Sequence, residues 1–167
     1  LFLHRRLQQA GYRLGYVGKW HVGTEKGPGA YDFEGMDLPG YGNIRAYGEY
    51  RDYLSRRGLD YTIRGKLFGN EGNKTLLGGL WDGPVESTPA GYLANYTIRL
   101  IDTLGEGGEP FFITTQFWAP HMPHLPSREY YQSHDRTRIE PWTNFDDTLQ
   151  GKPEYIKRQG EEFYRTP

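Results

Sequence analysis

Between residues 87 and 117 a stripe of apolar residues at helical spacing gives way to an almost unbroken apolar run, and this switch constrains the fold more than any other feature. Ser87 or Thr88 can cap a helix, with Pro89 at its first position. Tyr92, Leu93, Tyr96, Leu100, Ile101 and Leu104 then recur at helical intervals, and Gly105, Gly107 and Gly108 end the helix. Residues 110–117 follow as a strand of the kind covered on both faces, typical of a parallel sheet. Near the amino end the same order appears in brief. Leu3, Leu7 and Ala10 share a helical face, Gly11 stops the helix, and residues 12–17 form an aromatic and β-branched strand. Strand, long connection, helix and strand together predict parallel neighbours in an α/β fold, a mainly parallel sheet flanked by helices.

The connection itself, residues 24–88, reads as a loop-rich insertion, with turn signals at Gly27-Pro28-Gly29, Pro39-Gly40 and Asp82-Gly83-Pro84 and one short helix over 49–57 stopped by Gly58. Its Tyr31, Phe33, Tyr41, Tyr47 and Trp81 either line a substrate cleft or form a satellite cluster beneath the loop. Beyond Pro126 the chain is polar and irregular until a helix near Pro153. At 167 residues the length suits one domain. Because the sequence opens at Leu1 within a helical pattern, it is read as an internal fragment of a single catalytic domain spanning 1–167.

Charge excludes several functions. Lys and Arg number 20 against 21 Asp and Glu, so no global field draws in nucleic acid or an acidic membrane, and an anion must be held by a local site. No apolar run approaches the ~20 residues of a membrane span. The absence of cysteine removes thiolate nucleophiles and thiolate metal sites from these residues. With 23 Gly, 11 Pro and 14 Tyr, function is expected in loops.

Two of those loops carry chemistry. In Gly15-Tyr16-Val17-Gly18-Lys19-Trp20-His21-Val22-Gly23, Lys19 and His21 are two residues apart and face one side of an extended segment. In Ala119-Pro120-His121-Met122-Pro123-His124-Leu125-Pro126, His121 follows the second strand. If the strands pair in parallel, both turns meet at the carboxyl rim of the sheet, where open α/β folds bind ligands. A fixed ammonium and two imidazoles there suit a tetrahedral oxyanion. Taken alone, each turn is equally a strand end with solvated side chains. His124 also lies in an H-x-P triplet, though His121 is nearer the strand end. A metal pair of His121 and His124 is disfavoured by Pro123 between them. His4 reads as a helix-surface residue, His134 as a solvated loop histidine and Asp146-Asp147 as solvated acids. Asn73-Lys74-Thr75 and Asn95-Tyr96-Thr97 fit the glycosylation sequon.

The stretch from Gly11 to Gly23 resembles the sulfatase signature GY-x-T-x-x-x-GKWH-x-G, with Leu14 where threonine is usual. Pro110-Phe111-Phe112 through Pro120-His121-Met122-Pro123 resembles the family's second segment, a hydrophobic strand leading into H-x-P. The resemblance implies an alkaline phosphatase-like α/β fold and hydrolysis of a small-molecule or carbohydrate sulfate monoester. It assigns Lys19 and His21 to the sulfate oxygens, and His121 to a sulfate oxygen or to protonation of the leaving oxygen. Which histidine gives that proton stays open. It also implies a formylglycine nucleophile and a Ca²⁺ ion, each supplied by segments outside these residues. Ser87-Thr88-Pro89-Ala90-Gly91 imitates the nucleophile motif but lacks its arginine and falls after Lys19. The fragment alone is therefore expected to be inactive. A phosphonate or phosphodiester hydrolase of the same superfamily and a noncatalytic anion-binding relative are the alternatives.

Overall fold

The computed structural model describes residues 2–23, 25–39, 43–69 and 75–164. In chain order they form α1 (Phe2–Gln9), β1 (Arg13–Trp20), β2 (Glu34–Pro39), α2 (Gly48–Arg57), β3 (Thr62–Phe68), β4 (Leu76–Asp82), α3 (Pro89–Gly105), β5 (Phe111–Gln116), α4 (Arg128–Ser133) and α5 (Glu154–Tyr164). Strands β2, β1 and β5 make one parallel sheet with β1 in the centre. Arg13 lies opposite Phe111 and Gly18 opposite Gln116, so the carboxyl ends of β1 and β5 come out side by side. The expected crossover is thus present, with α3 as its helix.

Two glycines let these elements close on one another. A Cβ at Gly15 would lie 2.8 Å from Ile113 and 3.0 Å from Leu100, so the missing side chain is what lets α3 lie against β1 and β5. Gly18 has φ of +107°, and a Cβ there would come within 2.1 Å of the Gln116 carbonyl oxygen. On the helix face, Val17, Leu93, Leu100 and Leu104 pack with Ile44, Tyr50, Tyr53 and Tyr92 into the main core. Thr97 and Thr115 join α3 to β5 with a 3.0 Å hydroxyl contact; Thr97 donates to the Leu93 carbonyl at 2.8 Å, so Thr115 is the donor between them.

A second aromatic group gathers Tyr16, Trp20, Tyr31 and Phe33, with Tyr16 and Trp20 edge to face at 5.1 Å and Trp20 and Tyr31 at 5.9 Å. His4 belongs to it, which corrects the surface assignment. The residue is 6% exposed, edge-on to Tyr31 at 5.3 Å, while Leu3 is 60% exposed. The short helix turns its mixed face inward because aromatic rings wait there, and Leu3 faces outward.

The supposed insertion is more structured than its composition indicates. It holds β2, which extends the main sheet, α2 capped by Gly58 at φ +60°, and the antiparallel hairpin of β3 and β4. Trp81 is 1% exposed and stacks on Tyr61 at 3.9 Å, while Tyr31 and Phe33 join the His4 group, so these rings are packing groups and not a cleft wall. Tyr41 and Asn73 fall outside the described residues. Three further differences concern the strands and the tail. Strand β1 runs through Lys19 to Trp20, β5 is half-buried over most of its length instead of covered on both faces, and α4 interrupts the tail predicted as irregular. The helix near Pro153 is present as α5, and no helix among the described residues is long and apolar enough to cross a membrane.

Candidate active site

The carboxyl end of β1 is fixed by its own aromatic residues. The Tyr16 hydroxyl donates to the Lys19 carbonyl, and the Trp20 indole N–H donates to the Lys26 carbonyl at 2.7 Å, which ties down the bend that carries His21. Burial raises the Tyr16 phenol to about 12, with the Asp37 carboxylate adding to the shift, so Tyr16 stays a hydrogen-bond donor through the neutral range. Lys19 is half-buried, and its ammonium lies 5.0 Å from the centroid of the Trp118 ring. That contact bridges the two bends, because Trp118 stands at the exit of β5 and precedes His121 by one short turn.

The exit of β5 is held from the other side. The backbone N–H of His121 donates to the Trp118 carbonyl at 3.1 Å. From His124 the chain lies along β4: the His124 backbone N–H donates to the Leu77 carbonyl at 2.8 Å, the His124 carbonyl accepts from Gly79 at 3.0 Å, and the Pro126 carbonyl accepts from Trp81 at 2.9 Å. Parallel bridges pair Gly78 with His124 and Trp81 with Ser127. These two isolated bridges lay residues 124–127 along the hairpin, and the residues between Trp118 and His124 form a loop at the sheet's rim.

His21 and His121 line one cavity of about 680 Å³ under this loop. His124 is not among its lining residues, since its backbone is taken up by β4. Within His121, Nδ1 lies 2.8 Å from the Met122 carbonyl and must donate to it, which leaves Nε2 as the nitrogen for a ligand. The first turn of α3 closes the cavity through Thr88, Pro89 and Ala90. Thr88 is the N-cap, accepting from the Gly91 N–H at 2.9 Å, so the Ser-Thr-Pro triplet is a helix start and not a displaced nucleophile motif.

Sequence reasoning missed two lining residues. Trp118 carries the Lys19 contact, and Arg45 brings a guanidinium whose Nε donates to Asn43 Oδ1 at 3.2 Å. Trp118 immediately precedes the Ala119-Pro120-His121 bend, a position that marks it in the sequence; Arg45 sits in the single 3-10 turn Ile44–Ala46, with no pattern to mark it. Elsewhere, His134 Nδ1 lies 2.9 Å from Ser133 Oγ at the end of α4, and Asp146 and Asp147 are exposed. Among the described residues no group of three or more His, Cys, Asp or Glu could hold a metal ion.

Lys19, His21, Arg45 and His121 are all nitrogen groups, able to donate hydrogen bonds to an anion. They do not form the oxygen cage that Ca²⁺ takes, so these residues fit an oxyanion and not the ion. A family model described as Sulfatase matches residues 2–158. No curated protein matches the chain.

Proposed function

The chain belongs to the sulfatase family, a family of hydrolases with an alkaline phosphatase-like fold, and from that premise we propose that Lys19, His21 and His121 hold the sulfate group of an organic monoester during S–O cleavage. The observation that carries the reading is the shared cavity of His21 and His121; Lys19 is not a lining residue, but its ammonium lies against the ring of Trp118, which is.

The chemistry follows from the residue types. Cleaving the S–O bond builds negative charge on the sulfate oxygens and on the departing alcohol oxygen. Lys19 and the imidazole N–H of His21 stabilise the first charge, acting from positions that the Tyr16 and Trp20 bonds set before substrate arrives. For the second, His121 in its protonated form can give the Nε2 proton to the leaving alkoxide while its Nδ1–H stays on the Met122 carbonyl. A sulfated carbohydrate is the favoured substrate class. Residues 1–167 act as an internal part of a catalytic domain. On this reading the formylglycine and Ca²⁺ typical of the family come from other segments.

In the intact protein, Lys19→Ala and His121→Ala should each lower kcat/KM on an aryl sulfate by about 100-fold or more, with melting behaviour unchanged. An aryl phosphonate run in parallel should be the poorer substrate. Unaltered turnover in either variant removes that residue from the site, and faster phosphonate cleavage removes the sulfate assignment. Residues 1–167 by themselves should show no turnover.

A further inference from the structure

A second cavity, of about 640 Å³, lies between α2, α3 and β2, and the active-site reading makes no use of it. Arg56, Arg57 and Arg99 line it with Asp37 and Glu49, and none of these five makes an ion pair with another described residue. All five are exposed. Two of the guanidiniums lie over tyrosine rings, Arg57 over Tyr53 at 5.2 Å and Arg99 over Tyr96 at 5.2 Å. Arg57 also donates to Asn95 Oδ1 at 3.2 Å.

We infer that this cavity is an accessory binding site for an anionic sugar unit, one bearing a sulfate or carboxylate, on an oligosaccharide whose neighbouring unit occupies the active site. Charged groups of both signs in one concavity, without ion pairs among the described residues, are what a charged sugar requires. Its hydroxyls donate to the Asp37 and Glu49 carboxylates, and its anionic substituent accepts from the arginine forks, which bind planar or tetrahedral oxyanions through paired donors. An inorganic anion would leave the carboxylates without a role, and a neutral sugar would leave the arginines without one.

Helix α3 connects the two sites. Thr88, Tyr92, Asn95 and Arg99 recur at spacings of four, three and four and so share a helix face. Thr88 lines the histidine cavity, and the other three line this one. At ~1.5 Å of rise per residue, Thr88 and Asn95 are about 10 Å apart along the axis, a span that a short oligosaccharide covers.

The idea of a neighbouring unit in the active site rests on the sulfatase reading, so binding and turnover are measured separately. A sulfated oligosaccharide is titrated into the intact protein by calorimetry, with a neutral oligosaccharide of equal length and inorganic sulfate as controls. The protein is compared with an Arg56→Gln, Arg99→Gln double variant and with an Arg5→Gln, Arg6→Gln variant of α1. Affinity for the sulfated oligosaccharide should fall at least about tenfold in the first variant and stay constant in the second. Aryl sulfate turnover should be the same in all three proteins. Equal affinity in wild type and the Arg56/Arg99 variant overturns the site, as does an equal loss in the α1 variant or neutral-sugar binding as tight as sulfated. If wild type fails to cleave aryl sulfate but the tenfold loss persists, the accessory site stands and the sulfatase reading falls.

Discussion

The two strand ends that frame the proposed active site are held in opposite ways. At β1, side chains do the fixing: the Tyr16 hydroxyl on the Lys19 carbonyl, the Trp20 indole on Lys26, and strand partners on both sides, with β2 paired as far as Trp20. At β5, the ladder with β1 ends at Gln116, and the loop bearing His121 is held by backbone bonds to β4, an element of a different sheet. Lys19 is therefore positioned by the main core, while His121 is positioned by the hairpin. A lesion in either support should reach one of these two side chains before the other.

The largest effect is expected where the two supports touch. Gly18→Ala forces an alanine to φ +107° and drives its Cβ into the Gln116 carbonyl oxygen, 2.1 Å from the ideal position. Backbone on the other side cannot rotate away, so β1 and β5 must part. The cost should be about 4 kcal/mol by denaturant titration, with both Lys19 and His121 displaced. A loss below ~1 kcal/mol would mean that the two ends are not rigidly joined.

Ser87→Ala acts on the hairpin side only. Ser87 is fully buried; its hydroxyl accepts from the Trp81 indole N–H at 3.0 Å and donates to the Pro84 carbonyl at 2.6 Å. Removing it strands a donor and an acceptor in the interior, at a cost of about 1 to 3 kcal/mol. Because Trp81 carries the bridge to Ser127, the variant should lower kcat through the His121 loop while leaving affinity for inorganic sulfate at Lys19 nearly unchanged. Equal losses in both would erase the distinction between the two supports.

What is legible in the sequence is the pair β1 and β5 with the helix between them, and the reason is physical. Strand β1 and helix α3 carry their period in apolar side chains, so parallel pairing of β1 with β5 and the meeting of the two bends can be reasoned from spacing alone. Strand β2 reads Glu-Gly-Met-Asp-Leu-Pro and pairs only with β1 among the described strands; it lacks the apolar run that marks a buried strand. The burial of His4 is hidden because an eight-residue helix with leucines at 3 and 7 has no unique face until its aromatic partners, some 30 residues away, are in place. Arg45 and the accessory cavity depend on contacts between separate loops and helices, for which no local pattern exists.

The smallest effect compares the supports through pH. Tyr16, on the β1 side, holds its proton to about 12 because burial disfavours the phenolate and Asp37 adds to it; in the unfolded chain its pKa is near the ordinary value of about 10. Between those values the unfolded chain has released a proton that the folded chain retains, so stability falls as pH rises through this window and is unaffected below it. Tyr50, a main-core residue whose hydroxyl donates to the Ser87 carbonyl, is raised for the same first cause. Tyr16→Phe and Tyr50→Phe should each flatten the decline in stability that sets in above about pH 10 and runs toward about pH 12, measured by urea titration. Only Tyr16→Phe should also loosen Lys19, read as weaker sulfate binding at pH 7, because only its hydroxyl is bonded to the Lys19 backbone. Weaker sulfate binding in Tyr50→Phe alone would mean that the Tyr16 bond is not what positions Lys19.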